Sequence, residues 1–279
     1  MSQKPLFGIA LILLLAGAAT AVAHEFWLLP PRFFVAPGTR QNIHVFVGES
    51  FTGERWAGKS RRLTSFVQYT PTDTLNLTKA ASQTDTLHTA VELRQPGIHM
   101  VALSTNNAFI ELEAGKFNAY LKEDGLDNVL ALRQQRQELA KPGREAYRRC
   151  AKTLIQVGAP SSEAAKTTYG AVAGHPLELV PDQNPYALKI GASLTVQVLA
   201  DGQPLRGALV QVWQRTPGQP TQISKLRSNQ NGRVLFRLNG AGSYMVSTVR
   251  MEPATDLKTA DWQSTWATLT FGVAGISGR

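Results

Sequence analysis

The chain has 279 residues, a formal net charge of +9 and a single cysteine. One cysteine excludes an internal disulfide framework and any paired-cysteine zinc site. The cations are spread, densest at Arg61-Arg62 and in "YRRCAK" from Tyr147, without the basic, aromatic-interleaved stripe that nucleic-acid binding uses.

The first 23 residues read as a secretory signal: Lys4 forms the positive end, "LFGIALILLLAGA" the apolar core, and Ala21 and Ala23 the small-residue cleavage positions. That apolar run is shorter than the ~20 residues of a membrane span, so the mature chain is expected to be periplasmic or secreted and not membrane-integral. Cleavage after Ala23 leaves 256 residues and makes His24 the first.

From Phe26 to Leu112 strand signals dominate. "EFWLLPPRFFV" reads as a first, core-packed strand broken at Pro30-Pro31. "NIHVFVG" alternates with period two, and "LTSFVQYT", "HTAVEL", "IHMVALST" and "AFIELE" follow, punctuated by Pro and Gly. After Glu113 the spacing turns helical, with Phe117, Tyr120 and Leu121 on one face and Gly125 as a stop. A second helix opens with Asp127 as its cap and ends at Pro142-Gly143. The segment around Cys150 starts helical, with Tyr147, Cys150 and Leu154 as a core stripe, and turns strand-like by Leu154; the thiol is expected to be buried and inert. A helical insertion around 114–152 is therefore expected. "HPLELVP" reads as the strand closing the first domain, and "DQNPYALKIG" as a link.

Beyond Tyr186 the chain alternates again. Asp201-Gly202 is a hairpin signal, and "ALVQVW", "RVLFRL", "SYMVSTVRM" and "WQSTWATLTF" are strands, the last with Trp262 and Trp266 on one face. The expected fold is mainly β: two β-sandwich domains, Ig-like or transthyretin-like, at 24–182 (with the helical insertion) and 186–279.

"AHEFWLLPPRFFVAPG", "ELEAGKFNAYLKEDGL", "GHPLELVPDQNPYALKIG" and "ADWQSTWATLTF" together resemble the DUF4198 family of exported bacterial proteins, some described as periplasmic components of nickel or cobalt uptake. "GQPLRGALVQVW" with "NQNGRVLFRLNGAGSYMV" resembles the transthyretin-like regulatory sandwich found beside secreted peptidases, a module that is usually non-catalytic.

The candidate chemistry centres on His24. As a free N-terminal residue it offers an α-amine and Nδ1 that close a six-membered chelate ring, suited to copper or nickel. A second imidazole would complete a histidine brace. His99, on a central strand, and His175, at a strand entry, are the candidate partners, and Glu25 offers an added oxygen. None of the histidines has short paired spacing, and His44 and His88 complete the set. Nucleophile-elbow and phosphate-loop motifs are absent. The expectation is a non-catalytic protein handling nickel, cobalt or copper and serving a membrane transporter or another envelope protein. The alternatives are an envelope interaction module without metal and, third, a histidine-brace copper oxygenase.

Overall fold

The computed structural model describes residues 25–56, 60–81, 88–159 and 168–275. The signal segment and His24 lie outside these. The strands of the first half are β1 (Glu25–Leu29), β2 (Phe34–Val35), β3 (Thr39–Glu49), β4 (Thr52–Arg55), β5 (Leu63–Tyr69) and β6 (Thr74–Asn76). A single helical turn, α1 (Thr78–Ala81), precedes β7 (His88–Leu93), β8 (Gly97–Thr105) and β9 (Ala108–Leu112). Two helices, α2 (Ala114–Glu123) and α3 (Asp127–Gln135), lead to the long strand β10 (Gly143–Val157). The second half comprises β11 (Leu177–Pro181), β12 (Ser193–Ala200), β13 (Gln203–Pro204), β14 (Leu209–Arg215), β15 (Gln222–Arg227), β16 (Arg233–Arg237), β17 (Gly242–Pro253) and β18 (Trp262–Val273).

The fold is mainly β and sandwich-like. A ten-stranded sheet, with the path β15-β14-β17-β18-β10-β8-β5-β6, forms its spine. Side chains alternate across that sheet and fill two cores. Met100, Cys150, Leu154 and Leu269 pack against the sheet of β11, β12, β13 and β16. Val101, Leu103, Ala151 and Ile155 pack on the opposite face, against the sheet of β1, β3, β4 and β7. The first strand is covered on both sides: Phe26, Trp27 and Leu28 are buried, each contributing ~1.5–3 kcal/mol from area removed from water.

Three expectations need correction. The segment around Cys150 is strand throughout, so the helical insertion is α2 and α3 and ends at Gln135. β10 is buried on both faces, which erases period-two alternation and leaves an apolar run that imitates a helical stripe. The strand 177–181 does not close the first half; it pairs antiparallel with β12 of the second. Asp127 is not the cap of α3, because Leu126 takes that position and makes no side-chain cap bond. The sequence reading also passed over β15, whose residues are nearly all exposed and so carry no buried face to read.

The α2–α3 connection is local chemistry. Gly125 has φ +66°, Leu126 N–H donates to Leu121 O at 2.8 Å and Gly125 N–H to Lys122 O at 3.3 Å. That is a Schellman stop, and Leu121 and Leu126 supply its apolar contact within the core formed with Trp262 and Trp266. The Asp201-Gly202 hairpin forms as read: Ala200 pairs with Gln203, and both loop residues have positive φ, 49° and 77°.

Candidate functional site

β1 begins at Glu25, whose Cα lies opposite Gly48 of β3. Phe26 O accepts from Thr268 Oγ1 and Leu28 O from Thr270 Oγ1, so β1 is fastened along β18. This puts Glu25, only 8% exposed, beside the C-terminal end of α2. Burial pushes its carboxyl up to about 7; Glu49 and Glu123 add to the rise, while its own backbone N–H and Lys225 oppose it. Asp124, the C-terminal residue of the α2 cap, is buried as well and is also raised to about 7, by burial and then by Glu25. Gln211 Nε2 on β14 donates to Asp124 Oδ1 at 3.2 Å. The charge of Glu25 thus bears on Asp124, and Lys225 is a cation acting on both. His24 is attached to Glu25 by one peptide bond, and consecutive Cα atoms are about 3.8 Å apart.

Asp124 was missed by the sequence reading because "KEDG" reads as a helix stop. Its partners Glu25 and Gln211 lie about a hundred residues before and 87 residues after it in the chain, so only the fold brings them together.

The structure keeps the two candidate imidazoles apart. His99 shares a face of the spine with Val101 and Leu103, on the β1 side. It pairs with Ile155 of β10, about five strand positions beyond the level of Glu25, or roughly 16 Å at ~3.3 Å per residue. Both its ring nitrogens are engaged: Gln68 Nε2 donates to Nδ1 at 3.2 Å, and Nε2 donates to Gln95 O at 2.9 Å. That is a neutral imidazole of fixed tautomer, and burial lowers its pKa.

His175 lies on the other side of the spine, beside Lys152, which shares the face of Cys150 and Leu154. Burial lowers it to about 4, against the opposing pull of Glu178. Its Nδ1 has no hydrogen-bond partner among the described residues. His44 and His88, far apart in sequence, stand directly opposite in the β3–β7 register. Among the described residues, no three His, Cys, Asp or Glu side chains converge as a ready metal site. A metal at Glu25 and Asp124 would therefore draw further ligands from His24.

Two more polar clusters are buried. Lys152 Nζ donates to Glu178 Oε1 at 2.7 Å and to Ala171 O at 3.3 Å. The Glu178 carboxylate also accepts from the backbone N–H groups of Ala173, Gly174 and His175. It ties the 171–175 loop to the spine. Beneath α2, Glu145 accepts from Tyr120 and Ser264, and burial raises it to about 7 against those two hydrogen bonds. Cys150 is 3% exposed, and burial pushes its thiol up to about 12, so it is inert as expected.

The family model described as a domain of unknown function, DUF4198, matches residues 21–252. No curated protein matches the sequence. Among solved structures, the D0–D1 domain of intimin aligns at 10% identity over 89% of this chain and 98% of its own, with a TM-score of 0.20. Three N-terminal domains of the outer capsid protein Hoc of bacteriophage RB49 align at 9% identity over 88% and 59%, also at 0.20. Superpositions that loose carry no argument. No described helix is long and apolar enough to cross a membrane.

Proposed function

The chain belongs to the DUF4198 family, and for it we propose an exported, non-catalytic protein that holds a divalent transition metal, nickel, cobalt or copper, at the N-terminus released by cleavage after Ala23. It would act in the periplasm, serving a membrane transporter or another envelope protein.

The observation that carries the reading is the buried pair Glu25 and Asp124 beside that N-terminus, both raised to about 7. Lys225 offsets the rise of both carboxyls only in part; protons supply the remaining positive charge at low pH, and a divalent cation would supply it near neutrality. The donor set fits the group. His24 would give two nitrogens, the α-amine and Nδ1, while Glu25 and Asp124 would give hard oxygens, a mixture suited to divalent late transition metals. Soft donors are withheld, since Met100, Met245, Met251 and Cys150 are all buried away from solvent, which disfavours copper(I).

The test uses untagged mature protein, with His24 confirmed as residue one by intact mass, titrated calorimetrically with Cu(II), Ni(II), Co(II) and Zn(II). We expect one-to-one binding that an added N-terminal alanine abolishes and Asp124→Asn weakens at least tenfold. Affinity should rise with pH through neutrality, because the amine, imidazole and carboxyls shed protons on binding. Binding no tighter than that of the alanine-extended variant would overturn the proposal and leave the envelope interaction module.

A further inference from the structure

On the far side of the α2–α3 turn from Asp124 lies a cleft of about 410 Å³. It is walled by the first turn of α3, the β13–β14 loop, Arg227 of β15 and residues 249–252 of β17. The size is that of small-ligand sites, which combine an apolar floor with a few convergent polar groups. Leu205, Leu209, Val249 and Met251 supply the apolar floor here, and Arg206, Arg227 and Arg250 the polar groups.

Two of the guanidinium groups are held in place. Arg227 donates to Gly207 O at 2.9 Å and to Asp127 Oδ2 at 2.5 Å. Arg250 donates to Asp201 Oδ2 at 2.7 Å and pairs with Glu252 at 2.8 Å. A guanidinium carries five N–H donors, so each keeps donors to spare in a fixed orientation. Arg206 is exposed and has no hydrogen-bond or ion-pair partner among the described residues. Asp127, Asp201 and Glu252 thus engage Arg227 and Arg250, and Arg206 is the one guanidinium of the cleft that no carboxylate of the described residues engages. Asp127 and Glu252 also line it and would repel a multiply charged anion. Gly125 keeps the wall close: a Cβ there would meet Leu209 Cβ at 2.8 Å and Arg227 at 3.2 Å.

We propose that this cleft is a binding site for a monocarboxylate bearing a short apolar group, with Arg206 closing on the carboxylate and the Leu209–Met251 floor taking the apolar part. The chemistry is shared by a free small carboxylic acid and by the C-terminal residue of a peptide. This site is separate from the N-terminal one and does not depend on the metal reading.

The experiment titrates chelator-treated protein with N-acetyl-leucine, the tripeptide Gly-Gly-Leu, N-acetyl-leucine amide and inorganic phosphate, by calorimetry and thermal shift. N-acetyl-leucine should bind saturably, and the amide and phosphate should not. Tighter binding of N-acetyl-leucine than of the tripeptide identifies a free acid, and the reverse a peptide terminus. Affinity should fall at least tenfold in Arg206→Ala, an exposed position; circular dichroism checks that the variant is folded. No saturable binding, equal binding of the amide or phosphate, or undiminished binding in Arg206→Ala overturns the proposal.

Discussion

Glu25, Asp124 and Glu145 all have carboxyls raised to about 7 by burial, against ordinary values of roughly 4 in an unfolded chain. A carboxyl raised on folding keeps its proton in the native state longer than in the unfolded one. Its stabilising effect is complete below about pH 4 and is lost as pH rises through 7, by about 1.4 kcal/mol per unit for each group. His175, lowered to about 4, and His99, also lowered, act with the opposite sign: their contribution is present above about pH 6.5 and is lost as pH falls. Three carboxyls outweigh two imidazoles, so the melting temperature of the metal-free protein should decline from about pH 5 to pH 7. Glu145→Gln can still accept from Tyr120 and Ser264 and should flatten that decline, as measured by calorimetry across the pH series. A melting temperature that climbs over this window would contradict the assignment. The Lys152–Glu178 pair, with side chains 2% and 1% exposed, behaves differently. Removing one partner strands a buried charge, so Glu178→Ala should cost about 3–5 kcal/mol in denaturant unfolding. Replacing both with apolar residues should cost less.

Among the elements, the α2–α3 hairpin does the most positioning, because it carries Asp124 to Glu25 on one side and walls the cleft on the other. Its turn rests on Gly125, at φ +66° and packed on Leu209. Gly125→Ala should destabilise by about 1–2 kcal/mol from the left-handed conformation alone, with more from displacing Leu209, as read in urea midpoints. The hairpin is also braced from within by Arg133, 1% exposed, which donates to Asn118 Oδ1, Glu138 O and Lys141 O and stacks over Phe117. The last two hydrogen bonds tie loop 136–142 back to α3.

At the scale of the molecule, the decisive contact is β10 alongside β18. They pair in parallel over nine residues, from Glu145–Trp262 to Thr153–Thr270, joining the two halves into one spine. Reading the sequence as two sandwiches leads one to expect separable units. The shared sheet instead predicts a single cooperative unfolding transition for the mature protein, with calorimetric and van't Hoff enthalpies in agreement. It also predicts that a fragment ending near Asp182 will not fold, since β10 would lose β18. Two resolved transitions, or a folded fragment, would refute this.

The sequence by itself determined the local features: the alternating strands from Asn42 onward, the α2 stop at Gly125, the Asp201-Gly202 hairpin, the buried cysteine and the DUF4198 motifs. Each is written in neighbouring residues, in period, turn chemistry or motif. Only the tertiary structure decided the rest. It showed that the Cys150 segment is strand, because burial on both faces removes the alternation that marks one. It placed the 177–181 strand in the second half, set His99 and His175 on opposite faces, and brought Asp124 to Glu25. Those outcomes depend on which distant strands pair, and pairing is fixed by the joint burial of many side chains rather than by any short stretch of chain.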